Sequence, residues 1–171
     1  QAYHCSCSRQ MVEASAHRGR AGLVYPGTCR KNPSRSYKTH AIRIQTTNLE
    51  ITFNDGLQGP KCCALETEIG DFLIRRGDGL FAYQLAVVLD DALQEVTEVV
   101  RGIDLLDATF MQIYLQGILG YRQPRYQHIP VLTDFNGSKL SKQTGARALD
   151  PRDPVRNIFH ALVFLNQFPE K

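Results

Sequence analysis

Cys5-Ser6-Cys7 opens the chain with two thiols, and Tyr25-Pro26-Gly27-Thr28-Cys29 adds a third after a Gly-rich stretch. Thiolates are good ligands for Zn²⁺, and a segment this poor in apolar residues needs a staple, so the trio points to a structural metal site. A fourth ligand is required. Tyr25, four residues before Cys29, is one candidate, and His4 and His17 are others; a set of free thiols is the alternative. Cys62 and Cys63 adjoin each other far from the trio and read as small hydrophobes. An odd total of five cysteines argues against a complete disulfide framework.

Two further groups carry charge or a phenol. Arg101 follows the β-branched run Val96 to Val100 and precedes Gly102. In an open parallel sheet the ligand crevice lies past the carboxyl ends of such strands, and a guanidinium there suits a carboxylate or phosphate. Tyr83 could bond a ligand amine or carboxylate. The plainer alternative makes Tyr83 a core tyrosine and Arg101 a surface ion-pair partner. Lys139-Leu140-Ser141-Lys142-Gln143 places two lysines around a serine on a loop, which would suit charge developing on a phosphate; a solvated loop is the alternative.

The elements that must position these residues are legible from periodicity. Between Leu80 and Leu89 only Gln84 is strongly polar, so the segment is expected to be core, buried nearly all round. Residues 41–45 and 49–53 alternate with period two and predict strands of a small antiparallel sheet, with Asn54-Asp55-Gly56 as a turn and Gly59-Pro60 as punctuation. Residues 71–75 predict another strand. Asp107 is expected to cap a helix whose apolar residues Phe110, Met111, Tyr114, Leu115, Ile118 and Leu119 recur at three and four, with Gly120 as its stop. Residues 129–132 predict a strand and Asp134-Phe135-Asn136-Gly137 a tight turn. Asp153 followed by Pro154 opens a last helix, whose face of Ile158, Phe159, Leu162, Val163 and Leu165 needs a cover.

Composition sets the outer bounds. With 171 residues, 43% hydrophobic and 22% charged, the chain can bury one substantial core or two small ones, and an ordered globular protein is expected. No run approaches the ~18 apolar residues that span a bilayer, and no signal-peptide pattern opens the chain. A cytoplasmic protein without a membrane partner is expected. Gln1 in place of Met reads as a cut in a longer chain. Net charge is +3, but residues 1–43 hold eight Lys or Arg against Glu13 alone, a segment charge of +7; the remaining 12 basic and 16 acidic residues give −4. This asymmetry favours a polyanion such as RNA at the amino-terminal end, with a solvated basic surface as the alternative.

Taken in order, Cys5-Ser6-Cys7, Tyr25 to Cys29, Arg75 to Tyr83, Val99 to Leu106, His128-Ile129-Pro130 and Lys139 to Gln143 closely resemble the glutamyl-tRNA synthetase family of class I. The last segment is similar to the second class signature, usually written KMSKS. Within the family the chain resembles the shortened paralogues that act on queuosine. Leu80-Phe81-Ala82-Tyr83 stands where the full synthetases tend to have Pro-Thr-Tyr, Ile103-Asp104-Leu105 where they have an acidic-acidic-His run, and Gln143 where they have Arg.

The resemblance implies an α/β fold: the second half of a Rossmann-like catalytic fold, with a small zinc-binding insert that contains antiparallel strands. Residues 1–67 would be the insert, 68–150 the half-fold, and 151–171 the start of a helical region. By the same resemblance Cys5, Cys7, Tyr25 and Cys29 would hold Zn²⁺, Tyr83 and Arg101 would bind glutamate, and Lys139, Ser141 and Lys142 would bind ATP, with Mg²⁺ expected beside it and Lys142 catalytic. The reaction implied is formation of glutamyl-adenylate, then transfer of the glutamyl group to queuosine in tRNA(Asp). The other expectations kept open are an ordinary glutamyl-tRNA synthetase charging tRNA(Glu), and a non-catalytic zinc module that binds tRNA. The family's first signature, HIGH in consensus, is absent from these residues, so the 171-residue chain alone is expected to be incompetent in catalysis.

Overall fold

The computed structural model describes residues 1–31, 40–141, 145–146, 148 and 149–168. Three β-strands, Ala2–Cys5 (β1), Ala41–Ile44 (β4) and Phe72–Arg75 (β7), form an antiparallel sheet in the order β1-β4-β7. Between β1 and β4 lie the helix Arg9–Ser15 (α1), the hairpin of His17–Gly19 (β2) and Gly22–Val24 (β3), and the single turn Thr28–Lys31 (α2). Ser8 starts α1: its hydroxyl accepts from the Met11 N–H at 3.2 Å, satisfying one of the helix's unpaired donors.

Residues 41–45 and 49–53 do form strands, but not with each other. Glu50–Asp55 (β5) turns at Gly56 and pairs with Gly59–Ala64 (β6), so the Gly59-Pro60 pair opens a strand where the sequence suggested punctuation. Gly59 takes a positive φ of 71° that closes the hairpin, and Pro60 stands at the start of its strand, where a missing N–H costs little. Cys62 and Cys63 therefore lie on opposite faces. Cys63 is fully buried, which pushes its thiol up to about 12, whereas Cys62 faces solvent and is no core residue.

One apolar cluster joins β5, β7, the helices Tyr83–Leu93 (α4) and Leu106–Leu119 (α5), and the strand Arg125–Ile129 (β9); the turn Leu65–Glu68 (α3) contributes Leu65. Phe53 sits edge-on to Phe110 at 5.3 Å and to Tyr126 at 5.9 Å, and Phe110 is wholly buried. α5 keeps its expected apolar spacing and stops at Gly120, whose φ of 72° few other residues adopt. Asp107 is not its cap. The short 3-10 turn Ile103–Leu105 runs straight into the helix, and the Ile103 carbonyl already takes the Leu106 N–H.

The segment from Leu80 to Leu89 is not buried all round. α4 packs on α5 and β7 by one side, and Val88 alone is buried, while Leu80, Phe81 and Tyr83 stand 61%, 66% and 49% exposed. Apolar composition states what a segment can bury, and the described residues supply a cover for one face only. The same holds for Pro154–Phe164 (α6), capped by Asp153 as expected, with no residue of its apolar face fully buried.

Glu98–Gly102 (β8) pairs in parallel with β9, with Arg101 opposite His128. The expected strand at 129–132 lies earlier, because Pro130 has no N–H to continue the ladder and the pairing ends at Gly102 and Ile129. No helix among the described residues is long and apolar enough to cross a membrane.

Candidate active site and metal centre

The thiol trio converges as its spacing suggested. Cys5 ends β1, Cys7 lies in the loop before α1, Tyr25 follows β3, and Cys29 sits in α2, which Gly27 admits through a φ of 77°. The three sulfurs lie within 4.8 Å of one another, with Cys7 Sγ and Cys29 Sγ 3.6 Å apart. A tetrahedral ion with Zn–S bonds near 2.3 Å would separate its sulfurs by about 3.8 Å, so the donor set fits such an ion with little movement. The Tyr25 hydroxyl completes the group, 3.5 Å from Cys5 Sγ and 3.3 Å from Cys7 Sγ, and it accepts the Cys29 N–H at 2.9 Å. His17 is turned away to the Thr67 carbonyl at 3.1 Å, and neither it nor His4 joins the cluster.

The surroundings favour thiolate at Cys29, while burial and the neighbouring cysteines push the Cys7 thiol up. Burial opposes ionisation of Cys29, but hydrogen bonds from Tyr25 and from the Ser6 backbone outweigh it and bring the thiol down to about 7. Burial and the neighbouring cysteines hold Tyr25 above its usual value, as a phenol. The Arg43 guanidinium lies 3.9 Å over the Tyr25 ring and donates from Nε to Cys5 Sγ at 3.4 Å, placing one cation against the thiol cluster. Arg43 is fixed in turn by the Asp71 carbonyl. The Asp71 carboxylate is held by both Arg30 nitrogens, by Thr46 and by the Tyr3 hydroxyl, which together lower its pKa against the penalty of burial.

The second group gathers at the carboxyl end of β8. Arg101 is half-buried, and among the described residues no carboxylate lies within ion-pair distance of it, so it is not a surface ion-pair partner. Its Nε donates to His128 Nε2 at 3.1 Å; its Nη2 donates to Thr109 Oγ1 at 2.7 Å and Gln112 Oε1 at 2.8 Å. Both Nη2 protons are spent on the protein, and Nη1 makes no hydrogen bond among the described residues. Gln112 also donates to Gln84 Oε1 at 2.9 Å, which explains the lone polar residue in the apolar stretch of α4: it ties the first turn of that helix to the arginine. Tyr83, its neighbour in sequence, is half-exposed and no core tyrosine.

Beyond β8 the chain must turn sharply. A Cβ on Gly102 would lie 2.4 Å from Asp104 Oδ1 and 2.8 Å from Val131, so glycine alone lets the Asp104 carboxylate fold back. That carboxylate pairs with Lys139 Nζ at 2.6 Å and brings the start of the lysine-bearing loop to the strand edge. The expected tight turn is formed, with Asp134 accepting from Asn136, Gly137 and Ser138. Lys142 and Gln143 lie outside the described residues; Ser141 is described and half-buried.

Periodicity did not single out Asp55 or His128 as functional, yet both are wholly buried beside Arg101, their side chains joined at 2.5 Å. A signal existed. Asp55 falls on the inward face of β5 with Ile51 and Phe53, and His128 on the inward face of β9 with Tyr126, so alternation places both polar groups in the core.

Both groups lie within a span that known proteins match. A family model described as tRNA synthetases class I (E and Q), catalytic domain, matches residues 1–156. Proteins named glutamyl-Q tRNA(Asp) synthetase from Aromatoleum aromaticum and Chromobacterium violaceum are each 47% identical over 169 residues, 99% of this chain, of which it covers 53% and 57%. The protein of that name from Burkholderia mallei is 48% identical over 161 residues, covering 90% of this chain and 53% of the relative. The chain thus spans about half the length of the curated relatives it matches. A solved structure of a glutamate-tRNA synthetase from Elizabethkingia anophelis superposes with a TM-score of 0.64 and 23% identity, covering 84% of this chain and 33% of that one, a likeness of fold.

Proposed function

This chain belongs to the catalytic-domain family of class I tRNA synthetases (E and Q), and from that premise we propose that the protein activates glutamate with ATP and transfers it to queuosine in tRNA(Asp). The substrate pair follows the name of relatives at 47% identity. The observation that carries the reading is Arg101, fixed at the carboxyl end of a parallel strand with Nη1 left for a ligand.

In the first step an oxygen of the α-carboxylate attacks the α-phosphorus of ATP; the bond to pyrophosphate breaks and glutamyl-adenylate forms. A guanidinium clamped on the attacking oxygen would blunt it, so Arg101 takes the side-chain carboxylate and Tyr83 assists in binding the amino acid. Lys139, which pairs with Asp104, would together with Ser141 and Lys142 bind the ATP phosphates, with Lys142 stabilising the charge that builds on departing pyrophosphate. In the second step a hydroxyl of the queuosine cyclopentene ring attacks the glutamyl carbonyl and AMP leaves. The basic segment 1–43 supports a polyanionic partner. The reaction belongs in the cytoplasm, where tRNA is found.

The experiment is exchange of labelled pyrophosphate into ATP by the full-length protein. Exchange should depend on glutamate, with aspartate and glutamine poor substitutes. Exchange driven equally by other amino acids would overturn the assignment.

Cys5, Cys7 and Cys29, with Tyr25 at the fourth position, would hold a Zn²⁺ whose work is structural: it would cross-link β1, the loop before α1, and α2. Protein purified under reducing conditions should carry about one equivalent of zinc, the single site of a tetrahedral structural centre. Cys29→Ser should lose it and unfold at a lower temperature. Metal-free protein of unchanged thermal stability would remove zinc from the account.

A further inference from the structure

We propose that Asp55 and His128 are positioning residues that hold the Arg101 guanidinium in its ligand-binding orientation, by fixing His128 in the tautomer that accepts a hydrogen bond from Arg101. The inference rests on the reading of Arg101 as the glutamate-binding residue.

A guanidinium only donates, so His128 Nε2, 3.1 Å from Arg101 Nε, must present a lone pair. Thr109 Oγ1, 3.2 Å from the same nitrogen, accepts from Arg101 Nη2 and sends its own proton to the Leu105 carbonyl at 3.3 Å. The His128 proton is therefore on Nδ1, where Asp55 Oδ2 accepts it at 2.5 Å. Asp55 Oδ1 is fully used as well, taking the backbone N–H groups of Leu57, Gln58 and His128 at 3.0, 2.9 and 3.1 Å. These donors hold the Asp55 carboxyl down to about 2 against its burial. The result is an anion, a neutral ring and a cation in line, with Asp55 and His128 wholly buried.

Other features of the fold converge on this line. The parallel ladder sets Arg101 directly opposite His128, Tyr126 stacks on the imidazole, and the Arg101 guanidinium lies 5.4 Å over the Tyr126 ring. Gln58 donates to the His128 carbonyl at 2.8 Å, locking the β5–β6 turn to β9. A purely structural aspartate would need its backbone partners only. Here the second oxygen is spent on a ring whose far nitrogen meets the arginine.

Asp55→Asn separates the two roles. Three backbone donors converge on the Oδ1 position, so the amide oxygen must sit there and the NH₂ must face His128 Nδ1. That reverses the ring tautomer and aims Nε2–H at Arg101 Nε–H. In the full-length protein Asp55→Asn and His128→Leu should each raise the glutamate KM on the order of 10-fold, the scale of one hydrogen bond to a charged group, with the ATP KM unchanged within about 2-fold. His128→Gln, which can return an acceptor to Arg101, should recover most of the loss. Imidazole ¹⁵N shifts should show unprotonated Nε2 in the parent and protonated Nε2 in Asp55→Asn, while the Arg101 Nε–H resonance loses its slow exchange.

The inference is overturned if a folded Asp55→Asn keeps the parental tautomer and slow Arg101 exchange, or if the tautomer reverses and glutamate KM does not move. It is also overturned if both substrates weaken together, which marks a structural role. An Arg101→Ala variant with parental glutamate KM would instead refute the glutamate reading of Arg101, and the NMR readout would still decide whether Asp55 and His128 hold that side chain.

Discussion

Arg101→Lys in the full-length protein should raise the glutamate KM by roughly 10- to 100-fold while the ATP KM changes by less than about 2-fold, although the charge is kept. Lysine offers a single nitrogen. It cannot at once donate to His128, Thr109 and Gln112 and still present a proton outward, as Nε, Nη2 and Nη1 of Arg101 do. An ammonium that turned inward to satisfy those buried acceptors would abandon the ligand; one that turned outward would leave wholly buried Thr109 and nearly buried Gln112 short of a donor. Steady-state kinetics with each substrate varied in turn checks this. Equal weakening for glutamate and ATP would mean that Arg101 serves the fold.

A larger effect is expected at Lys142. Lys142→Ala should lower the rate of adenylate formation on the order of 100-fold or more, the scale for removing a preorganised donor aimed at developing charge, with glutamate binding nearly intact. The pairing of Lys139 with Asp104 supports this division of labour, because it uses one lysine of the loop to tether it to the edge of β8. Single-turnover measurement of pyrophosphate release separates the chemical step from binding. A variant with parental rates would remove Lys142 from the mechanism.

These two predictions draw on parts of the site that were unequally legible in the sequence. Short-range signals read well. The Cys-x-Cys pair, Tyr25 and Cys29 converge because a few local turns bring them together, and Gly120 and Asp153-Pro154 end and begin helices through their own backbone preferences. Arg101 is marked by the β-branched run ahead of it as the end of a strand, and that strand is parallel to its neighbour. Its partners were hidden, since His128 and Asp55 meet across 73 residues and no local pattern encodes which strands adjoin. β9 was displaced because Arg125, Gln127 and His128 mask an alternating strand whose inward residues are Tyr126 and His128. The Leu80 to Leu89 stretch misled in the opposite sense. Its composition suits full burial, but α5 and β7 cover one side, and Gln84 marks the polar contact that the apolar count passes over.

The joint between the two sites is the least expected feature. The sheet β1-β4-β7 holds the thiol group at Cys5, and its last strand leads into the turn before α4, whose first residues approach Arg101 through Gln84 and Gln112. Tyr114 on α5 donates to the Gln45 carbonyl just after β4, a second link between the metal-site sheet and the helix that carries Thr109 and Gln112. If the thiol group holds zinc as proposed, removal of the metal should loosen the support of the arginine as well as the amino-terminal segment.

Transfer of labelled glutamate by the full-length protein to tRNA(Asp) prepared with and without queuosine tests the proposed reaction itself. ATP-dependent label is expected on the queuosine-containing tRNA alone, resistant to removal of the 3′-terminal adenosine, and lost in Arg101→Lys. Label on unmodified tRNA(Glu) at its 3′ end, or none on either tRNA from a protein that binds both, would contradict it.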